Sequence, residues 1–345
     1  MKIAYVFAYL GDGGTEDHAI LLAKKAKESG CEPFFIVSSY SEAGIQKLKA
    51  GNIRFYDLPM RSSFNPLSVM RSVIGLKRII KQEGVDIVHA HMLREQSLAI
   101  LVKIIGGKFV LIRTFHRLNQ FNWKMKLLMP IYLKFTDAVI SISSTMSGLL
   151  EANGWGNSYT LIKNGVAKVD APKHDRAIGF IGRLSTEKGI LKFIEANIEL
   201  LRKNKLIIAG TGPDFNAIKK ITDDNKLNIE LLGNVLDKAS FYKKISILLL
   251  PSDHEVLPLV ILEAYSCGLP VVAFDIKPLL ELVDKENGIL VKFPDYAQMG
   301  REVLRLLPIS SRYYKSNINT YESKYSDDIM WSKTYKLYQS KLNRQ

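Results

Sequence analysis

Short apolar runs alternate with amphipathic stretches along the whole chain. The runs have the length of buried strands, and the stretches between them repeat apolar residues at helical spacing. Strands alternating with helices are typical of parallel sheets with crossover helices, so the pattern predicts an α/β fold with one doubly wound unit in each half. The predicted strands are IAYVFA, EPFFIVS, IRFYDL, DIVHAH, FVLIRTF, DAVISIS and YTLIK in the first half, and AIGFIGR, KLIIAG, IELLG, SILLLP, PVVAF and GILVK in the second.

A polar segment with one proline, residues 170–176, lies between the two halves. It predicts a linker between a first domain at residues 1–169 and a second domain at residues 177–325. The end of the chain, residues 326–345, has apolar residues at helical spacing and predicts a terminal helix. A chain of 345 residues is long enough for two α/β domains of ordinary size.

Residues 251–275 carry two glutamates in a predicted strand–loop–helix unit. Glu255 follows the apolar run SILLLP, and Pro258 and Gly268 mark the start and the end of a helix that contains Glu263. Ligands of open α/β sheets bind at the carboxyl ends of the strands, where Glu255 is predicted to lie. Because carboxylates accept hydrogen bonds from hydroxyl groups, we predict that this pair holds two parts of one polyol ligand, such as a sugar and a ribose.

Two glycine-containing loops predict phosphate binding. In the segment GRLSTEKG, Arg183 and Lys188 can converge on one anion and stabilise charge on a departing diphosphate. The segment GDGGTEDH places Gly13 and Gly14 before a helix, whose N-terminal N–H groups attract phosphate. The dinucleotide fingerprint G-x-G-x-x-G fails there because Glu16 stands at the third glycine position, which disfavours a nicotinamide-linked oxidoreductase.

Together these motifs resemble glycosyltransferase family 4, whose members are retaining enzymes of the GT-B fold. The resemblance rests on the E-x7-E pair with the trailing EAYSCGLPVVA, on GGTE and on GRLSTEKG, and it is densest between residues 182 and 291. It implies two Rossmann-like domains facing across a cleft, with a C-terminal helix that crosses back to the first domain. The second domain would hold a nucleotide diphosphate sugar, UDP-linked rather than GDP-linked, and the first a glycan or lipid-linked acceptor of surface polysaccharide biosynthesis.

The resemblance also assigns roles to individual residues. The implied catalytic residues are Glu255 and His116 at the donor sugar, and Arg183 and Lys188 at the diphosphate. Glu263 would hold the ribose. The other implied donor-binding residues lie in loops whose backbone approaches the nucleotide, and they are Gly13, Gly14, Gly182, Gly210, Gly212, Val235, Leu257, Pro258, Leu259 and Val260.

Two positions depart from the family pattern: Val256 stands for a glycine and Ala167 for an aspartate. The sequence contains no Asp-x-Asp metal motif, and the pair His89 and His91 has no apparent third ligand. We therefore predict no metal and no cofactor, with the nucleotide sugar as a co-substrate. Two cysteines form no disulfide framework, so the cytoplasm is the predicted compartment.

The net charge of +14 is concentrated in one part of the chain. Between Arg61 and Lys134 there are 13 lysines and arginines but only 3 acidic residues. Such a patch favours an anionic membrane surface, and the lack of a recognition motif disfavours nucleic acid. The protein is thus predicted to lie on the inner face of the cytoplasmic membrane. One basic helix has an apolar stripe of Leu67, Met70, Ile74 and Ile80 beside the predicted membrane patch of Arg71, Lys77, Arg78 and Lys81.

Two other functions share this fold and donor. A GT-B nucleotide-sugar epimerase would convert the donor without an acceptor. A non-catalytic nucleotide-sugar-binding protein would tolerate Val256 beside the first glutamate. The sequence leaves the donor base and sugar, the acceptor and the oligomeric state open.

Overall fold

The computed structural model describes residues 1–11, 13–60, 65–116, 123–156, 158–171, 176–235 and 237–344, apart from the side chains of residues 123–126 and 129. The chain forms two compact units, Met1–Gly165 with Asp327–Gln345, and Val166–Ser326. The division falls a few residues before the predicted linker at residues 170–176. The C-terminal segment belongs to the first unit.

Thirteen strands occur in the described part of the chain, and each coincides with a predicted apolar run. They are β1 (Lys2–Phe7), β2 (Glu32–Val37), β3 (Arg54–Asp57), β4 (Ile87–Ala90), β5 (Val110–Phe115), β6 (Ala138–Ser141), β7 (Thr160–Leu161), β8 (Ile178–Ile181), β9 (Leu206–Ala209), β10 (Ile229–Gly233), β11 (Ile247–Leu250), β12 (Val271–Phe274) and β13 (Gly288–Val291). The first unit has the parallel sheet β3-β2-β1-β4-β5-β6-β7, and the second has β10-β9-β8-β11-β12-β13. The predicted α/β fold with two Rossmann-like halves is therefore confirmed.

Helices connect the strands of both sheets, and three more follow the last strand. They are α1 (Gly14–Glu28), α2 (Glu42–Ala50), α3 (Pro66–Glu83), α4 (Leu93–Ile104), α5 (Trp123–Phe135), α6 (Ser144–Ala152), α7 (Ile190–Ala196), α8 (Ile198–Lys203), α9 (Phe215–Asn225), α10 (Lys238–Tyr242), α11 (Leu259–Ser266), α12 (Tyr296–Leu306), α13 (Tyr314–Thr320) and α14 (Asp327–Leu342). No helix among the described residues is long and apolar enough to cross a lipid bilayer.

The terminal helix α14 packs into the core of the first unit. Its Trp331 and Tyr338 are buried with the aromatic residues of β1 and β2. The indole N–H of Trp331 donates a hydrogen bond to the hydroxyl of Ser29 at 2.7 Å. On the solvent side of the helix, Nζ of Lys25 in α1 lies 2.6 Å from Oδ1 of Asp328. The helix is thus held by buried aromatic surface, with the polar contacts fixing its position along α1.

The apolar stripe predicted on α3 divides between the surface and the core. Leu67, Met70 and Ile74 are exposed, and only Ile80 is buried. The buried face instead contains Ser72, which satisfies its hydroxyl locally by donating to the backbone carbonyl of Ser68 at 2.9 Å. The three large apolar side chains therefore lie at the surface of the first unit.

Candidate functional site

The loops that follow the central strands of the second unit meet at the carboxyl edge of its sheet. The N–H of Leu184, after β8, donates to the carbonyl of Thr211, after β9, at 2.9 Å. The N–H of Asp253, after β11, donates to the carbonyl of Glu187 at 3.0 Å. Since β9, β8 and β11 are neighbours in the sheet, these contacts gather three predicted site loops at one edge.

Two glycines allow these loops to approach closely. Gly189 has a φ of +67°, and a Cβ atom there would lie 2.1 Å from the carbonyl oxygen of Pro251. Gly210 has a φ of +136°, and a Cβ atom there would lie 1.9 Å from the carbonyl oxygen of Gly182. Any other residue would be strained at both positions and would push the loops apart. Gly189 thereby holds the neighbouring Lys188 against the end of β11.

This packing brings Lys188 and Glu255 into direct contact. The Nζ atom of Lys188 lies 2.6 Å from Oε1 of Glu255. The Glu255 side chain is only 8% exposed and the Lys188 side chain 26%. The carboxylate therefore depends on this lysine as its counter-ion, since an unpaired buried charge is costly. Arg183 is exposed at the start of the same loop.

The second glutamate is also held in place. Glu263 lies on the second turn of α11 and is buried. Its Oε1 accepts a hydrogen bond from Nζ of Lys238 at 2.6 Å, and its Oε2 accepts one from the hydroxyl of Tyr242 at 2.8 Å. Burial raises the pKa of Tyr242 well above its ordinary value, so this hydroxyl keeps its proton and remains a donor. Sequence analysis missed both partners, because neither belongs to a recognisable motif.

The remaining predicted donor-binding residues of the second unit lie in the loops after β9, β10 and β11 and in the first turn of α11. Leu257 and Pro258 are buried ahead of α11, and Leu259 and Val260 form its first turn. Gly212 follows β9, and Val235 follows β10 in a half-buried position. Of the two departures from the family pattern, Val256 is half-buried beside Glu255, and Ala167 is exposed. The roles of all these residues stay predictions.

A separate set of predicted site residues belongs to the first unit. Gly13 precedes α1 in an extended conformation, and Gly14 is the first residue of that helix. Because the N-cap residue Gly13 has no side chain, it makes no capping hydrogen bond of its own. Asp12 lies outside the described residues. His116 directly follows β5 and is buried.

Two further histidines surround His116. Nδ1 of His91 lies 3.0 Å from Nε2 of His116, a hydrogen bond between two imidazole rings. The ring of His18, from α1, meets both edge-on, with its centroid 5.0 Å from that of His116 and 5.7 Å from that of His91. His91 also stacks on His89, with ring centroids 4.3 Å apart, so the structure adds His116 and His18 to the pair seen in the sequence.

His89 has partners of its own in the core. Its Nδ1 lies 2.6 Å from the hydroxyl of Tyr338, and its Nε2 lies 2.8 Å from the hydroxyl of Thr114. Both ring nitrogens are therefore occupied. The fully buried Arg113 lies on β5, the strand next to that of His89. Burial lowers the pKa of its guanidinium to about 9. A nearby carboxylate, Glu95, opposes that shift.

The buried histidines predict a dependence of stability on pH. Burial lowers the pKa of His18 to about 3 and those of His89 and His91 well below their ordinary value. These rings stay neutral in the folded state but take up protons in the unfolded chain below about pH 6.5. The free energy of unfolding should therefore be highest above that pH and fall by about 1.4 kcal/mol per pH unit for each histidine as the pH decreases.

Urea unfolding between about pH 7.5 and pH 5.5 measures this slope. A His18→Phe variant removes one of the three groups and should show a shallower decline. Equal slopes in the two proteins would contradict a neutral His18 in the folded state.

Comparison with known proteins places the chain in a family. A sequence profile described as "Glycosyltransferase Family 4" matches residues 12–168, and one described as "Glycosyl transferases group 1" matches residues 175–308. The chain is similar to the UDP-Gal:alpha-D-GlcNAc-diphosphoundecaprenol alpha-1,3-galactosyltransferase of Escherichia coli, with 27% identity over 271 residues. The matched region covers 69% of this chain and 70% of that protein.

Two solved structures show the same fold. A glycosyltransferase from Rickettsia africae superposes with a TM-score of 0.86 at 21% identity, covering 100% of this chain and 99% of that one. Anabaena HepE, solved in complex with UDP, superposes with a TM-score of 0.83 at 18% identity, covering 99% of this chain and 100% of that one. The two parallel sheets with their helices thus match GT-B structures, and the protein belongs to the group 1, family 4 glycosyltransferases.

Proposed function

We propose that this glycosyltransferase moves a sugar from a nucleotide diphosphate sugar, preferably a UDP-sugar, to a hydroxyl group of a glycan or lipid-linked acceptor, with retention at the anomeric carbon. The observation that carries the proposal is the contact between Lys188 and Glu255 at the carboxyl edge of the second sheet, with Arg183 on the same loop. Cations for a diphosphate and a carboxylate for sugar hydroxyls are adjacent there.

Ligand binding would exchange the partners of these groups. In the ligand-free site Lys188 neutralises Glu255. A donor diphosphate offers the lysine a stronger anionic partner, because its oxygens carry more charge than one carboxylate. Glu255 is then released to accept hydrogen bonds from the donor sugar. The site therefore keeps its charges paired before binding and gains a sugar acceptor group as the diphosphate arrives.

Transfer itself needs charge stabilisation more than an enzyme nucleophile. As the bond between the anomeric carbon and the diphosphate oxygen breaks, negative charge grows on the diphosphate. Lys188 and Arg183 stabilise that charge, and their effect increases toward the transition state. The departing diphosphate oxygen takes the proton of the acceptor hydroxyl, whose oxygen forms the new bond on the same face of the sugar.

Relatives support the choice of donor and acceptor. The E. coli relative is named for a UDP-galactose donor and a diphosphoundecaprenol acceptor. The structurally similar HepE was solved with UDP. We accordingly propose a UDP-sugar donor and an acceptor carried on a lipid, in the assembly of a surface polysaccharide such as lipopolysaccharide or capsule.

Product analysis tests this proposal. With a panel of UDP-, GDP-, ADP- and dTDP-sugars and an acceptor lipid, we expect transfer from a UDP-sugar, with the anomeric configuration of the donor kept in the product. Transfer should persist in EDTA, because Lys188 and Arg183 supply the charge that a metal supplies in other sites. NMR spectroscopy of the product determines the configuration, and an inverted product would contradict the retaining mechanism.

A parallel reaction without acceptor separates the alternatives. A nucleotide-sugar epimerase would convert the donor under these conditions. A binding protein would convert no donor with any acceptor. We expect neither outcome, and either would replace the transferase assignment at this site.

We further propose that α3 docks the first unit on an anionic membrane. Arg71, Arg78 and Lys81 are exposed on this helix. Exposed apolar residues of the same helix precede them in the chain, with Leu67 60% and Met70 53% accessible. Basic residues beside exposed apolar side chains are typical of interfacial helices, in which charge attracts the surface and apolar groups insert. The fourth predicted residue, Lys77, instead donates to the carbonyl of Ile105 at 2.5 Å.

Vesicle flotation tests this docking. Replacing Arg71, Arg78 and Lys81 by serine should weaken binding to vesicles of anionic lipid by about 100-fold, because each basic residue near such a surface contributes about 1 kcal/mol. Binding of the wild type should fall as salt is added, since salt screens the attraction. Donor affinity should not change.

A charge-matched variant provides the control for this experiment. Lys192, Lys203 and Lys219 are exposed lysines of the second unit, and their replacement by serine removes the same net charge. This variant should bind vesicles like the wild type. Equal loss in both variants would mean that total charge, not α3, controls binding. Equal affinity of the wild type for neutral and anionic vesicles would contradict membrane docking.

A further inference from the structure

The three histidines of the first unit meet in a geometry suited to a metal ion. His18, His91 and His116 each offer one ring nitrogen, and these three nitrogens lie within 4.8 Å of one another. They come from α1, from the residue after β4 and from the residue after β5. Because β1, β4 and β5 are adjacent in the sheet, the cluster lies at the carboxyl edge of the first sheet.

The closest pair already has nearly the spacing that a metal requires. Nδ1 of His91 and Nε2 of His116 are 3.0 Å apart. Two imidazole nitrogens that bind one Zn²⁺ ion at about 2.0–2.1 Å in a tetrahedral site are roughly 3.3 Å apart. A metal ion could therefore replace the hydrogen atom shared by these two nitrogens if the two rings moved slightly apart.

Two ring nitrogens of the cluster have no hydrogen-bond partner in the described part of the chain. These are Nδ1 of His18 and Nε2 of His91, and both side chains are more than nine-tenths buried. A buried polar atom without a partner costs free energy, and a metal ion bound at Nδ1 of His18 would recover that cost, whereas Nε2 of His91 would gain no partner. If Nδ1 of His91 binds a metal, its ring proton moves to Nε2, so coordination requires only a change of tautomer and no loss of a proton from the ring.

We propose that His18, His91 and His116 form a binding site for a divalent transition metal ion, with Zn²⁺ as the best fit. Three neutral imidazoles leave a fourth tetrahedral position open, and Zn²⁺ accepts this ligand set. The buried cation Arg113 nearby opposes a second positive charge, so we expect micromolar rather than tighter affinity.

Metal binding here would be inhibitory rather than catalytic. This part of the inference rests on the proposed function and on the role at the donor sugar that the family resemblance implies for His116. An ion that takes Nε2 of His116 fixes the ring and withdraws it from that contact. Zn²⁺ should then lower the transfer rate, and EDTA should restore it, whereas EDTA should not lower the activity of the metal-free enzyme.

Direct measurement of metal binding tests the site independently of activity. The full chain, without a histidine tag, is freed of metal and titrated with Zn²⁺ by calorimetry and with Co²⁺ by visible absorption. We expect one equivalent to bind, with the intense visible bands of tetrahedral Co²⁺. The variants His18→Gln and His91→Gln should bind at least about 100-fold more weakly, because each lacks one of three ligands. A His254→Gln variant, which removes an exposed histidine of the second unit, should bind like the wild type.

The outcomes separate this site from the proposed function. Absence of Zn²⁺ and Co²⁺ binding by the wild type overturns the metal site and leaves the glycosyltransferase assignment untouched. Binding that persists unchanged in both His18→Gln and His91→Gln also overturns it, provided that circular dichroism shows both variants folded. Binding of one ion without any loss of transfer activity supports the metal site and contradicts the role of His116 at the donor sugar.

Discussion

Replacing Arg183 or Lys188 by alanine should lower the rate of sugar transfer by about 10²–10³-fold, while donor binding falls much less. Both cations lie on the loop between β8 and α7, and Lys188 is held at the end of β11 by the close approach of Gly189 to Pro251. Groups that interact more strongly as the diphosphate departs act on the transition state, and loss of one such group in a preorganised site has this magnitude. Single-turnover kinetics separate the chemical step from donor affinity.

The two variants also distinguish chemistry from stability. Lys188→Ala leaves the buried carboxylate of Glu255 without its counter-ion and should therefore lower the melting temperature as well. Arg183 is exposed, so its removal should affect the rate alone. Lys192→Ala, an exposed lysine on the adjacent α7, is the matched control and should leave both properties unchanged. Normal transfer rates in both Arg183→Ala and Lys188→Ala would contradict the assignment of this loop to the diphosphate.

The strands and the helix of the E-x7-E segment could be predicted from sequence because their signals are local. A buried parallel strand needs only a short apolar run, and every predicted run became a strand. The helix α11 lies between Pro258 and Gly268, the two residues that predicted its ends. Once these elements are predicted, the numbering alone places Glu255 after β11 and Glu263 within α11.

The pairing of the site residues could not be predicted in the same way. Lys188 and Glu255 are 67 residues apart in sequence, and their contact depends on the strand order and on the backbone at Gly189. The partners of Glu263 come from the short helix α10, whose sequence has no motif. Such contacts follow from three-dimensional packing rather than from any local pattern.

The helix α3 shows how a local pattern can mislead. Periodicity alone put Ile80 on one stripe with Leu67, Met70 and Ile74, but packing of the helix against its neighbours buries Ile80 and leaves the other three exposed. Gly75 allows the side chain of Leu58 to approach the buried face closely. Ser72 is tolerated there because its hydroxyl donates to the carbonyls of Ser68 and Pro59. The apolar residues left outside then become part of the proposed membrane surface.

The histidine cluster could be predicted from the sequence only in part. The HAH segment directed attention to His89 and His91 as a pair, since residues two apart share one face of a strand. The sheet order was needed to see that His18 and His116 follow the strands on either side of β4. A doubly wound topology written out from the predicted strands would have placed His91 and His116 at neighbouring strand ends.

Replacing each glutamate of the E-x7-E pair should produce a different defect. Glu263→Ala should weaken binding of UDP alone by about 10–100-fold, because a charged acceptor of a ribose hydroxyl is lost. Glu255→Ala should leave UDP affinity unchanged or raise it, since Lys188 loses the carboxylate that competes with the diphosphate. The same variant should lower sugar transfer by roughly 10²-fold, through lost contacts to the donor sugar. Calorimetry with UDP and transfer assays with the UDP-sugar measure the two effects.

Lys238→Met provides the control that separates the ribose contact from general damage at α11. It removes the cation 2.6 Å from Glu263 but keeps the carboxylate, and Tyr242 still donates to that side chain at 2.8 Å. A carboxylate freed from one partner is a better acceptor for a ribose hydroxyl, so UDP affinity should be kept or increased even though the melting temperature falls. Weakening of UDP binding by Lys238→Met as large as that by Glu263→Ala would mean that the lysine, not the carboxylate, contacts the nucleotide. Equal loss of UDP affinity in Glu255→Ala and Glu263→Ala would show that the two glutamates do not divide the sugar and the ribose between them.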